Sequence, residues 1–176
     1  MQKLKENDMK SWWIKVLVCL SAVILSSCGD ATSGSPEKLK LGGRIPNFSL
    51  KSLDGSTVTD RSFEGSVVVL NFWATWCAPC MKEIPDLKKV AADSKVKVLG
   101  IALDEDEATA VRPFVERNGI NYPVAFGNQE LFQRFNGLGI PYTLVLDRSQ
   151  RIVNIYRGPV TKESLEQDLK KVEQGA

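Results

Sequence analysis

Histidine is missing from all 176 residues, and that absence removes whole classes of chemistry. Without an imidazole there is no Cys–His protease, no Ser–His–Asp hydrolase and no histidine-ligated zinc, copper or haem. Cysteine is scarce as well, with four residues at positions 19, 28, 77 and 80; a two-cysteine zinc site would need further ligands that the chain does not offer. No apolar run is long enough to span a bilayer comfortably, since the best one, Val16–Leu25, covers about ten residues. Charge of one sign is lacking too. The formal net charge is +2, too small to argue for nucleic acid or acidic lipid as a partner. There are no internal repeats, and the length suits one globular domain with a short appendage.

The appendage is N-terminal. Lys10 and Lys15 flank Trp12-Trp13, the apolar run follows, and Leu25-Ser26-Ser27-Cys28 comes next. A basic start, a short apolar core and small residues ahead of a cysteine have the shape of a secretory leader. The four residues resemble a bacterial lipobox, in which the cysteine is lipidated and becomes the mature N-terminus. An uncleaved signal anchor with an incidental cysteine is the alternative. Met9 opens a more usual leader than Met1, which is followed by two acids. Loss of residues 1–27 would carry off four lysines and two acids, so the surplus charge belongs to the leader and the mature chain is neutral. Cys19 would go with it and Cys28 would be consumed by lipid. Cys77 and Cys80 then remain as one vicinal pair, which a secreted domain uses for chemistry more often than for stapling.

That pair sits in Trp76-Cys77-Ala78-Pro79-Cys80. The run Val67–Trp73 ahead of it is β-branched and aromatic and reads as a buried strand. Behind it Ile84, Leu87, Val90 and Ala91 recur at helical spacing. The thiols therefore lie where a strand turns into a helix, close enough to join and part with little backbone motion. Unpaired N–H groups and the macrodipole at the helix N-terminus favour a thiolate, so Cys77 is expected to be the exposed, acidic, attacking sulfur and Cys80 the resolving one. Trp76 is expected to shield the sulfur pair or simply to pack.

These residues resemble the thioredoxin superfamily, and within it the extracytoplasmic TlpA/ResA-type thiol–disulfide oxidoreductases. Val67 to Cys80 matches the family's strand and active-site turn. Pro85 falls where the family kinks its long helix, and Gly139-Ile140-Pro141-Tyr142-Thr143 matches its cis-proline loop. Pro46-Asn47-Phe48-Ser49-Leu50 and Asp54-Gly55 match its N-terminal hairpin. The resemblance implies an α/β thioredoxin-like fold, a central mixed sheet flanked by helices with an N-terminal β-hairpin extension. It also implies that Pro141 is cis, bringing the Ile140 backbone beside the dithiol as a docking strand for substrate. Cytoplasmic thioredoxins carry a buried aspartate where this chain has Asn71. The acid of the TlpA/ResA type is a glutamate matching Glu83, three residues after Cys80 and on the same helical face, where it assists the buried thiol; an ordinary surface glutamate is the other reading.

The implied organisation is a lipoprotein signal peptide over 1–28, a flexible tether over 29–44 and a thioredoxin-like domain over 45–176. Within the domain the pattern predicts a hairpin around 48–58, strands at 66–73 and 96–103, and the active-site helix over 77–92. A further helix is led by the acidic cluster Asp104–Glu107 and stopped by Asn118-Gly119. An edge strand at 122–126, a short helix at 129–135, an antiparallel pair at 142–146 and 151–156, and a last helix from Thr161 complete it. The implied function is a membrane-tethered protein-disulfide reductase without cofactor or metal, monomeric, facing the periplasm or extracytoplasmic space. Its clients carry disulfides, apocytochrome c among those of the family. Because Ala78-Pro79 holds no charge to over-stabilise the thiolate, the disulfide should be hard to reduce, and a membrane electron donor is then needed to recharge it. Two alternatives are weaker. A peroxidase of this fold would want Pro and Thr where Leu70 and Ala74 stand, and a copper carrier would want a histidine.

The lipobox reading has a direct check. Cys28→Ser should abolish partitioning of the mature protein into detergent, whereas unchanged membrane association would identify a transmembrane anchor instead.

Overall fold

Every residue from Val67 to Trp73 is buried, as in a strand at the middle of a sheet covered on both faces. The computed structural model describes residues 38–174; the proposed leader and Cys28 lie outside them. In chain order the elements are β1 (Ser49–Lys51), β2 (Thr57–Thr59), β3 (Val67–Trp73), α1 (Ala78–Ala91), β4 (Val96–Ala102), α2 (Arg112–Asn118), β5 (Val124–Phe126), α3 (Gln129–Arg134), β6 (Tyr142–Leu146), β7 (Ile152–Arg157) and α4 (Lys162–Gln174). Strands β5-β4-β3-β6-β7 form one mixed sheet. β3, β4 and β5 run parallel, with α1 as the β3–β4 crossover, while β6 and β7 join antiparallel.

The period of two along the strands sorts the core into two layers. Val69 and Trp73 face one side with Val98 and Ala102, under Ile84, Leu87 and Val90 of α1, Phe114 of α2 and Leu165 of α4. Val68, Leu70 and Phe72 face the other side with Leu99, Ile101 and Leu144, against Leu131 and Phe132 of α3 and against Phe48 and Phe63 of the N-terminal segment. Two elements differ from the sequence expectation. The helix expected from the acidic cluster begins later, as a π-helical turn Glu107–Val111 that becomes α2, because Asp104 is buried and engaged elsewhere. The strand expected from Tyr122 starts at Val124. Gly119, at φ 56°, ends α2 in the left-handed conformation.

The N-terminal segment holds both margins of the sheet. β1 and β2 form the expected hairpin, with Asp54 accepting from Ser56 in its turn. The hairpin lies along β5 through a Ser52–Ala125 bridge and a bond from Leu53 N–H to Val124 O of 2.7 Å. Across the molecule, Gly42 donates to Ile152 O, Ile152 donates to Gly43 O, and Arg44 bridges Arg151 at the start of β7. Residues Gly42–Arg44, the end of the expected tether, are thus already hydrogen-bonded to the domain.

The loop from α3 to β6 is fixed by aromatic packing. Phe132 is clasped by Phe72 and Tyr142, at centroid separations of 5.3 and 5.8 Å, and the Tyr142 hydroxyl donates to Phe135 O. A Cβ on Gly137 would come within 2.0 Å of the Phe132 ring, and the ring has nowhere to go. Gly137→Ala should therefore destabilise the fold by about 1–3 kcal/mol, the usual cost of overpacking, read as a lowered urea midpoint with an unchanged slope.

Candidate active site

Trp73 ends β3, and Ala74-Thr75-Trp76 carries the chain over the sheet edge into α1. Two contacts fix this turn. Cys77 N–H donates to Ala74 O at 3.1 Å, and the Asp104 carboxylate accepts from both the backbone N–H and the hydroxyl of Thr75. Asp104 follows β4, the parallel neighbour of β3, so the sheet itself delivers the acid to the active-site turn. Reading the acidic cluster only as a helix cap missed this role, which depends on β4 lying beside β3.

Cys77 is the N-cap residue of α1, Pro79 stands in the first turn, and Cys80 N–H donates to Cys77 Sγ at 3.3 Å. The two cysteines form a disulfide with Cα atoms 5.3 Å apart. Cys80 is fully buried, and Cys77, expected to be exposed, is 4 % exposed in this oxidised state. Pro85 lies inside the helix without ending it. Trp76 is 71 % exposed, so it is not packed into the core, and it borders a groove of about 800 Å3 with Thr75, Asp104, Glu105, Asn128 and Gln129. The Ile140–Pro141 peptide is cis, Pro141 O accepts from Gly158 N–H, and Ile140 packs against the cluster that contains both cysteines. Leu138, in the same loop, is almost fully exposed, a position that no motif or periodicity singles out.

Glu83 decides between its two readings by burial: it is 1 % exposed, so the surface alternative falls. One turn beyond Cys80 on the buried stripe of α1, it points at the sheet. Oε1 accepts from Asn71 Nδ2 at 2.7 Å and Oε2 from Val160 N–H at 2.9 Å. Asn71 in turn donates to Thr143 Oγ1 at 2.9 Å. Asn71 and Thr143 are register partners on β3 and β6, so one carboxylate ties α1 to two strands and to the segment entering α4. Burial raises its pKa from 4.5 to about 7, against the lowering effect of the two hydrogen bonds. A carboxyl titrating there can take up or release a proton near neutrality. Among the described residues no three His, Cys, Asp or Glu side chains gather in a way that could hold a metal ion.

Comparison with known proteins agrees with this geometry. The model of the Redoxin family matches residues 40–173. The thiol-disulfide oxidoreductase ResA of Bacillus cereus is 34 % identical over 160 residues, covering 89 % of this chain and 92 % of that one. Among solved structures, a thiol:disulfide interchange protein of the thioredoxin family from Chlorobium tepidum superposes with a TM-score of 0.66 at 32 % identity, covering 76 % of this chain and 97 % of that one. A DsbF homologue from Corynebacterium diphtheriae gives 0.67 at 28 % identity, covering 82 % and 96 %. The fold is thus thioredoxin-like, and the chain belongs to the redoxin family as a thiol–disulfide oxidoreductase of the ResA type.

Proposed function

We propose that the protein is a lipid-anchored reductase of protein disulfides outside the cytoplasmic membrane, with Cys77 as nucleophile, Cys80 as resolving thiol and Glu83 as the group that takes the Cys80 proton. The observation that carries this reading is a buried carboxylate one helical turn from a buried cysteine, in a disulfide at a helix N-terminus. In the reduced enzyme the N–H of Cys80 and the helix dipole favour the Cys77 thiolate. That thiolate attacks a client disulfide, and the first client sulfur leaves as a thiolate. The Cys80 thiol then passes its proton to the Glu83 carboxylate, its sulfur attacks Cys77, and the second client sulfur is released. Two electrons go to the client and the enzyme becomes the disulfide seen in the structure.

Ile140, at the cis-Pro141 bond, offers backbone to an extended client segment beside the dithiol, with exposed Trp76, next to Cys77 in the chain, as an apolar contact. Haem-attachment cysteines of apocytochrome c are one fitting client class, being thiols that must be kept reduced. The enzyme would act as a monomer and draw electrons from a membrane thiol–disulfide donor, and lipid on Cys28 would keep it within reach of that donor. No described helix is long and apolar enough to cross a membrane.

Two experiments test the assignment. Cys80→Ser should accumulate mixed disulfides through Cys77, identifying clients by mass spectrometry, and Cys77→Ser should trap almost none; equal trapping would reverse the order of attack. Glu83→Gln should slow resolution about 100-fold above pH 7, the low end for loss of a general base, and remove the rise of rate with pH centred near 7. It should also change the stability profile. The folded protein holds a proton on Glu83 that the unfolded chain has released by pH 5, so this group's stabilisation is lost as pH rises from about 5 to 7, by up to about 1.4 kcal/mol per unit. Denaturant titrations of Glu83→Gln should show that slope missing.

A further inference from the structure

Three buried polar atoms among the described residues have no protein hydrogen-bond partner: Trp73 Nε1, Tyr122 Oη and Gln150 Oε1. Gln150 already bonds Phe63 O through its amide nitrogen in the β6–β7 turn. The other two lie together, in the buried cluster that contains Cys77 and Cys80. A Cβ built on Gly100 would be 2.9 Å from Trp73 Nε1 and 3.1 Å from Tyr122 Cε2, so the indole N–H and the phenol ring share the space that a side chain at position 100 would fill. Gly100 is the β4 register partner of Asn71, and Asn71 holds Glu83 Oε1. Neighbouring strands lie about 4.8 Å apart. The two unpartnered groups and the Glu83 carboxyl therefore cover adjacent positions on one face of the sheet. The charge on Glu83 is felt at Tyr122 and joins burial in pushing the phenol's pKa far up, so this hydroxyl keeps its proton throughout the working range.

Buried N–H and O–H groups are almost always satisfied by protein or by internal water, and a water is stable where two to four polar groups converge. Tyr122 Oη, Trp73 Nε1 and the unused lone pairs of Glu83 supply such a set. The partners already on Glu83, the amide of Asn71 and the N–H of Val160, only donate. They serve the carboxylate and offer the protonated acid no acceptor. A hydroxyl and a water can both donate and accept.

We infer that Tyr122 is a positioning residue for Glu83, its hydroxyl and the Trp73 indole N–H holding an internal water that hydrogen-bonds the carboxyl in both of its protonation states. This role rests on the proposed transfer of the Cys80 proton to Glu83. As the Cys77–Cys80 bond forms and the Cys77–client bond breaks, the proton arriving on Glu83 finds an acceptor in the water, and the same water donates again once the proton has left. The groups facing Glu83 are Cys80 from α1, Asn71 from β3, Thr143 from β6, the Val160 N–H ahead of α4 and Tyr122 ahead of β5. Burial, Val160 and Asn71 account for its displaced pKa, with no cation or second carboxylate among the causes.

Tyr122→Phe removes the hydroxyl and keeps the ring. Reduced full-length protein mixed with 5,5′-dithiobis(2-nitrobenzoate) releases one thionitrobenzoate on attack by Cys77 and a second on resolution by Cys80, and stopped flow follows both across pH 5–9. The second phase of the parent protein should rise with a midpoint near 7. In Tyr122→Phe that midpoint should move down by about one pH unit, because the protonated acid loses its acceptor while the carboxylate keeps its donors Asn71 and Val160, with the first phase unchanged. In the Glu83→Gln background Tyr122→Phe should change nothing further. A midpoint equal to that of the parent, or an equal effect persisting in Glu83→Gln, overturns the role of Tyr122 alone. A Glu83→Gln profile identical to the parent's overturns the role of Glu83, and this one with it.

Discussion

A carboxylate withdrawn from water must be held by other groups or lose its charge, and Glu83 is held by two donors from different elements. Asn71 from β3 and the Val160 N–H meet its two oxygens, and Asn71 passes the link on to Thr143 of β6. These bonds are short, buried and non-local, with partners 12, 77 and 72 residues apart in sequence. They register α1 against the sheet and against the entry to α4 at the level of the dithiol. The apolar stripe of Ile84, Leu87 and Val90 supplies the adhesion of α1. The polar contacts choose which rotation and height of the helix satisfy all of its buried groups at once. Cys80, one turn toward the N-terminus, inherits its position from that choice.

The turn before the helix is governed in the same way from the other flank. Asp104 reaches back from the end of β4 to two donors of Thr75, while Leu103 N–H donates to Trp73 O. The two parallel strands thus continue their pairing past the sheet edge and deliver Cys77 as the N-cap of α1. Neither sulfur is placed by a flexible loop. Large apolar side chains open to solvent near the motif are Trp76, next to Cys77, and Leu138, in the loop of cis-Pro141.

Much of this was legible in the sequence because it rests on local patterning. β3 and α1 announced themselves through an unbroken apolar run followed by a helical stripe, and the motif between them located the dithiol. The hairpin, the β6–β7 pair and α4 followed from turn and capping residues. What local pattern could not show was long-range pairing of polar groups. Asp104 read as one of four acids in a solvated run; its burial depends on β4 lying beside β3, a fact of the sheet rather than of the cluster. Trp73 read as the end of a buried strand and Tyr122 as the start of an edge strand, but the space that the indole N–H and the phenol ring share is left open by Gly100, 27 residues from one and 22 from the other. The burial of Cys77 goes with its bonded state, in which its sulfur is joined to Cys80 and accepts the Cys80 N–H.

The segment from Gly42 to Thr59 touches both outer strands, bridging the start of β7 at one margin and lying along β5 at the other. A mixed sheet left open at its margins presents rows of free N–H and C=O groups, which a second copy can extend. Here one short stretch of chain occupies part of each row. If lipid holds many copies on one surface, their local concentration is high and every free margin becomes a site for unwanted polymerisation. The same chain that would leash the domain to the membrane also blunts the edges through which crowded neighbours would stick.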